Sequence, residues 1–209
     1  MNWSEKLTTI KDNVPKVFEA GRQAEYDRFW DRYQLNGTRS IYDNFFRADG
    51  WNEETYNPKY EIRAKSISAL FQGANITDTK VPIIYEGTYN TSNVFYGCRK
   101  LVTICNLTFV ESPAHSNYSN WFYNCDALKN ITIEGVIPNN ISFQWSPLTV
   151  ESMKSVLTHL KDLTDTDDAF TKTVKFSDAC WALLDADGNT APHGGTWREY
   201  ANVVKCWNI

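Results

Sequence analysis

The acidic segment Asp185-Ala186-Asp187-Gly188-Asn189 is the nearest this chain comes to a metal-binding pattern, and its spacing fails. A calcium loop with Asp187 at its fifth position needs an oxygen ligand at the first and a bidentate carboxylate at the twelfth. Those positions hold Leu183 and Gly194. The segment therefore reads as a tight turn, and Asp162, Asp165, Asp167 and Asp168 read as a solvated helix end. His115, His159 and His193 cannot be tied by spacing to a nucleophile and an acid, and no G-x-S-x-G elbow occurs. Glu86, Glu111 and Glu134 follow successive strand-like runs as an outward acidic line. Glycoside hydrolysis needs two carboxyls about 5 to 10 Å apart across a cleft, and a soluble outer face is the simpler account. The chain reads as a non-enzyme with no catalytic residues, and it calls for no cofactor or metal.

Cys98, Cys105, Cys125, Cys180 and Cys206 show no CxxC or Cys/His spacing of a zinc site. Cys98 and Cys125 occupy equivalent places in a repeated template where an earlier copy has Ala74. They are expected to be small, buried, reduced side chains in a ladder, not a disulfide framework. The remaining candidates are aromatic. Tyr85, Tyr89, Tyr118 and Trp145 fall in strand-exit loops, where exposed rings stack on sugars or grip a protein partner. With Asn130 and Thr132 on an outward strand face they form the candidate ligand-binding set. The competing account has these rings covering the core edge.

A three-fold template must position those residues. Ser68-Ala69-Leu70-Phe71-Gln72-Gly73-Ala74, Ser92-Asn93-Val94-Phe95-Tyr96-Gly97-Cys98 and Ser119-Asn120-Trp121-Phe122-Tyr123-Asn124-Cys125 share one pattern, their phenylalanines 24 and 27 residues apart. Such a period marks stacked repeats, since one unit cannot bury its own apolar face. Phe71, Phe95 and Phe122 are expected to line one interior column. The Ser of each copy is a plausible N-cap for one or two helical turns, which Gly or Asn closes. Val81-Pro82-Ile83-Ile84, Leu101-Val102-Thr103-Ile104 and Leu128-Lys129-Asn130-Ile131-Thr132-Ile133 then supply strands of one parallel sheet. In the third, Ile131 and Ile133 point inward and Asn130, Thr132 and Glu134 outward. Sequons at Asn36, Asn75, Asn90, Asn106, Asn117, Asn130 and Asn140 read as turn chemistry.

The flanks differ. Leu7, Ile10, Val14, Val17, Gly21 and Ala24 step by 3, 4, 3, 4 and 3, an a/d seam that Pro15 interrupts. It is either a helix packed on its own domain or a short oligomerisation helix. On the C-terminal side, Thr149 caps a helix carrying Val150, Met153, Val156, Leu157 and Leu160. A strand at Thr173–Phe176 and a short helix capped by Ser177 follow, and Thr196-Trp197-Arg198-Glu199 has the capping-box pattern of a last helix. The expected organisation is a helix for attachment or oligomerisation over 1–37, an aromatic adaptor or cap over 38–65, and repeats with C-terminal capping units over 66–209.

Bulk composition excludes some classes. A formal net charge of −4, without a Lys/Arg cluster, argues against nucleic acid as a partner. No apolar run is long enough to insert in a membrane, and the first thirty residues lack a signal-peptide pattern. An aromatic content of 14% exceeds what a minimal core requires, which leaves rings available for a surface.

The repeat units resemble leucine-rich repeats of the BspA-like type. That pattern, F-x-x-C-x-x-L-x-x-I-x-I, is carried by Phe122, Cys125, Leu128, Ile131 and Ile133, and by Phe95, Cys98, Leu101 and Ile104. In the second unit Asn106 stands where the last apolar residue belongs, and the first unit loses a residue near Ile76. The resemblance implies an α/β leucine-rich-repeat-like solenoid with a short parallel sheet, and the seam from Leu7 to Ala24 adds an N-terminal helical segment ahead of it, a coiled coil if it oligomerises. The stretch from Val17 to Asp31 also resembles leaders that precede such repeats in proteins encoded by phages and prophages of gut Firmicutes. It implies a structural or binding protein of a phage tail or virion surface, facing a bacterial host. The expected partners are other virion proteins or itself through the N-terminal helix, and a bacterial surface glycan or protein. The other expectation is a bacterial surface adhesin or carbohydrate-binding module unrelated to phage.

Overall fold

A computed structural model of the chain describes residues 62–64 as backbone, 67, 69–85, 92–110 and 118–209. The seam from Leu7 to Ala24, most of the adaptor, and Tyr89, Glu86, Glu111 and His115 lie outside those residues. Within them the fold is mixed α/β, with short parallel sheets and few helices.

Strands β1 (Ile62–Ala64), β2 (Ile83–Tyr85), β3 (Thr103–Phe109) and β4 (Asn130–Gly135) form one sheet in that order. The segment expected to be an adaptor thus already supplies the first strand. All pairings are parallel: Ile62 opposes Ile83, Ile83 opposes Leu107, and Leu107 opposes Ile133. In β4, Ile131 and Ile133 are buried while Asn130, Thr132 and Glu134 are exposed, the alternation that a half-buried strand demands. Ile104 pairs with Ile131 but Leu107 with Ile133, so β3 carries one extra residue, a bulge at Cys105 and Asn106. The bulge accounts for the polar residue that broke the repeat pattern. Leu107, fully buried, takes the apolar position and Asn106 steps aside.

Ahead of the strands, the template does not form the helical turns that its serines suggested. It forms tight turns closed by bonds between residues three apart, such as Ala74 N–H to Phe71 O (2.8 Å), Cys98 to Phe95 (3.0 Å) and Cys125 to Phe122 (3.2 Å). In the first two copies alternate N–H groups point to the next coil instead. Phe71 donates to Val94 O and Gly73 to Tyr96 O (both 2.8 Å), and Phe95 to Trp121 O (3.0 Å) and Gly97 to Tyr123 O (2.8 Å). An α-helix would have kept all these donors internal; stacking draws half of them outward. Gly73, Gly97 and Asn124 close the turns at φ of 67°, 76° and 56°, where Gly is unstrained and Asn is tolerated.

Each turn sends its Phe inward. Ring centroids lie 5.2 Å apart from Phe71 to Phe95, 5.5 Å from Phe95 to Phe122, 4.3 Å from Phe122 to Phe143 and 5.9 Å from Phe143 to Phe176. The column expected for three rings therefore runs through five. Beside it, the Cys98 thiol donates to Phe71 O (2.7 Å) and the Cys125 thiol to Phe95 O (3.0 Å). All five cysteines are free, and only Cys105 is exposed.

The C-terminal part continues the stack with helices. β5 (Ile141–Phe143) and β6 (Val174–Phe176) pair in parallel. Between them α1 (Val150–Thr158), with Thr149 accepting from Ser152 N–H, lies along the free edge of β4. Ser152 Oγ accepts from Ile131 N–H and Ser155 Oγ from Ile133 N–H, both at 2.9 Å. Two helix hydroxyls thereby satisfy an edge that would otherwise invite another strand. α2 (Asp178–Ala186) starts at Ser177, as expected. The capping box at Thr196 and Glu199 also forms, but its helix α3 (Trp197–Glu199) passes at once into a π-helical turn, Tyr200–Val204. Trp207, fully buried, anchors the end through Nε1–H to Lys161 O (2.8 Å).

Candidate functional site

In each turn the residue after the inward Phe faces away from the column. In successive coils it is Gln72, Tyr96 and Tyr123, all half-buried. Tyr96 and Tyr123 stack at 5.0 Å and 14°, and Trp145 meets Tyr123 edge-on at 5.2 Å and 63°. Trp145 is 44% exposed. An outer aromatic row thus runs beside the inner one, because coils that stack one ring must also stack the residue next to it. The stacking uses the faces that the two tyrosines turn to each other, so edges and hydroxyls are what the pair offers outward.

Next to Tyr123 opens a groove of about 230 Å³, lined also by Ser119, Asn120, Ile141, Ser142, Gln144, Thr173 and Lys175. The turn of one coil and strands β5 and β6 build it. Val174 and Phe176 are buried, so alternation turns Lys175 outward, in register with Ser142 on β5. The aromatic row and the polar groove share Tyr123.

Of the ligand-binding candidates, Trp145 belongs to this surface. Tyr85 and Tyr118 do not, and the expectation that they present exposed rings is corrected: both are fully buried. Tyr85 opposes Phe109 across the sheet, which puts both side chains on one face, and that face is the interior. Tyr85, Tyr118 and Trp121 form an internal cluster, with centroids 5.6 Å apart for Tyr85 and Trp121 and 4.6 Å for Tyr118 and Trp121. Asn130 and Thr132 are exposed, but on the sheet, not with Trp145 on the turn side. Asn130 Nδ2 donates to Thr103 Oγ1 (3.4 Å), and nearby Thr108 Oγ1 donates to Glu134 Oε2 (3.2 Å). Sequence reasoning missed Tyr96 and Tyr123, although the template contained the signal: their position is the one that is Gln or Tyr in every copy.

The residues that suggested chemistry are engaged elsewhere. Asp185 pairs with Arg198 (2.9 Å), and Asp187 with Lys154 and Asn189, so the acidic turn is tied to its surroundings. The Lys154 ammonium and Asn189 amide hold the Asp187 carboxyl below its ordinary range. Thr164, through its hydroxyl and N–H, does the same to Asp162. His159 Nδ1 lies 2.7 Å from Ser155 O at the end of α1, and His193 packs 5.7 Å from the Tyr200 ring. Among the described residues, no three His, Cys, Asp or Glu side chains converge as a metal site, and no helix is long and apolar enough to cross a membrane. Burial pushes the Cys98 thiol up to about 12, against the weaker opposing pull of backbone hydrogen bonds, and moves Cys125 the same way. No family model, curated protein or solved structure matches the chain.

Proposed function

We propose that this chain is a non-enzymatic recognition protein, built as a BspA-like, leucine-rich-repeat-like solenoid and carried on a phage tail or virion surface to contact a bacterial host. The stacked turns, the parallel strands and the phenylalanine column support the solenoid reading. The leader resemblance over Val17–Asp31 supports the phage setting, with the N-terminal segment as the attachment or oligomerisation element. The observation that carries the function is the outer row Tyr96–Tyr123–Trp145 running beside a polar groove. Rings backed by a stacked scaffold are held before a partner arrives, so binding loses little side-chain entropy. Presentation in several copies would multiply a weak single site. The partner is a bacterial surface glycan or protein.

The test is adsorption of the fluorescently labelled full chain to candidate host cells. Replacing Tyr96, Tyr123 and Trp145 together by Ala should reduce bound protein at least about tenfold, the scale of aromatic anchors at an interface. Undiminished adsorption by that triple variant would end the reading. Antibody labelling of phage particles under the electron microscope separates the virion setting from a cellular adhesin, for which label would sit on the bacterium itself.

A further inference from the structure

The groove beside Tyr123 has a lining with a definite chemical bias. Ser119 and Thr173 bring hydroxyls, Asn120 and Gln144 bring amides, Tyr123 brings a ring, and Lys175 is the one charged residue among the described ones. Among the described residues no carboxylate lines it. Two other lysines of the C-terminal part are paired, Lys154 with Asp187 and Lys172 with Asp168, whereas Lys175 enters no ion pair among the described residues. Its backbone is held in β6 between two buried side chains, so the side chain springs from the sheet and not from a loop.

We infer that this groove receives one acidic sugar residue of a surface glycan, with its carboxylate or phosphate on Lys175 and its hydroxyls on Asn120, Gln144 and the edge of Tyr123. The inference rests on the recognition function proposed above and names the ligand class for that site. The volume argues for a single unit: about 230 Å³ lies below the roughly 300–1,000 Å³ of sites that enclose drug-sized ligands. The walls argue for a sugar. Hydroxyls and primary amides each donate and accept, matching a ring rich in hydroxyls, and the Tyr123 edge and hydroxyl extend that polar lining. An acidic peptide side chain would engage Lys175 but make no use of the Asn120 and Gln144 amides.

The experiment is titration of the full chain, followed by NMR, with four probes: a glucuronic-acid disaccharide, a hexose phosphate, a neutral glucose disaccharide and a pentaglutamate peptide. At least one acidic sugar should saturate shifts at Ser119, Asn120 and Lys175, with affinity about fivefold above the neutral sugar, the size of one partly exposed ion pair. Whichever acidic probe binds more tightly identifies carboxylate or phosphate as the anion. Lys175→Gln should abolish the preference and Lys175→Arg should keep it, and added salt should weaken only the acidic sugar. Lys175 is exposed, so both variants should melt like the parent. The inference is overturned if no sugar binds, if the neutral sugar binds as well, if Lys175→Gln leaves the preference intact, or if pentaglutamate matches the acidic sugars. Cell adsorption that stays sensitive to the aromatic triple variant would then leave the recognition reading standing, which distinguishes the two failures.

Discussion

Residues 69–135 and residues 136–209 carry the same inner column by different means. In the first stretch the phenylalanines are 24 and 27 residues apart; onward from Phe122 the steps are 21 to Phe143 and 33 to Phe176. Ring separations stay between 4.3 and 5.9 Å throughout. Spacing along the chain is set by what decorates each coil, whereas spacing between coils is set by how closely rings and peptide bonds can stack. The first stretch distributes its hydrogen bonds between neighbouring coils, so each coil depends on the next. The second satisfies more of them locally, through side-chain caps at Thr149, Ser177 and Thr196, and closes the sheet edge with Ser152 and Ser155.

The most damaging way to break this comparison is at the column. Phe122→Ala removes a fully buried ring stacked on both sides and should cost about 3 to 5 kcal/mol in urea unfolding. Phe176→Ala, at the tilted end of the column, should cost less. Equal losses at the two positions would show that the two stretches are not differently coupled.

Next in size is the edge closure. A Ser152→Ala, Ser155→Ala double variant strips two acceptors from β4 and should cost about 1 to 3 kcal/mol. Hydrogen exchange should then accelerate at the Ile131 and Ile133 amides while the Phe95 and Gly97 amides, bonded between coils, keep their protection. Acceleration everywhere would mean that α1 supports the stack as a whole.

Ser146 sharpens the comparison in the opposite direction. It stands three residues after Phe143, as Cys98 and Cys125 stand after Phe95 and Phe122, but its buried Oγ has no hydrogen-bond partner among the described residues. Ser146→Ala should therefore raise stability by about 1 kcal/mol, since an unsatisfied buried hydroxyl is removed. A loss of stability would reveal a bond or water that the serine uses.

The smallest effect at neutral pH concerns the thiols. Cys105 should react first with iodoacetamide under native conditions, and Cys98 and Cys125 only on unfolding. The folded Cys98 thiol keeps its proton up to about 12, above its ordinary 9.0. Its contribution is therefore complete below pH 9.0 and fades as pH rises toward about 12, because the unfolded chain ionises first. Urea midpoints should not respond to this thiol below pH 8 and should fall above pH 9. Rapid native labelling of Cys98 would contradict its burial.

Legibility followed the range of the forces. Phe71, Phe95 and Phe122 as a column, Ile131 and Ile133 inside, Cys98 and Cys125 as a thiol ladder, and the caps at Thr149, Ser177 and Thr196 were all readable, since periodicity and capping are written within a few residues. Tight turns stand where helical turns were expected, because in the first two copies donors that a helix would keep are claimed by the neighbouring coil. Tyr85 and Tyr118 looked like surface rings because their position after a strand does not say which way the sheet faces. Trp145 was read as an exposed ring and is one, but its neighbours Tyr96 and Tyr123 were read as mere members of a template.

Amino-acid order alone determined that this chain repeats, which residues of each repeat are apolar, and where several helices begin. Only the tertiary structure decided that the column extends to Phe143 and Phe176, that serines of α1 close the sheet, and that Tyr123 joins an aromatic row to a groove holding Lys175. The physical reason is that these features depend on which distant segments lie side by side, and stacking of coils with unequal lengths brings together residues that no fixed spacing relates.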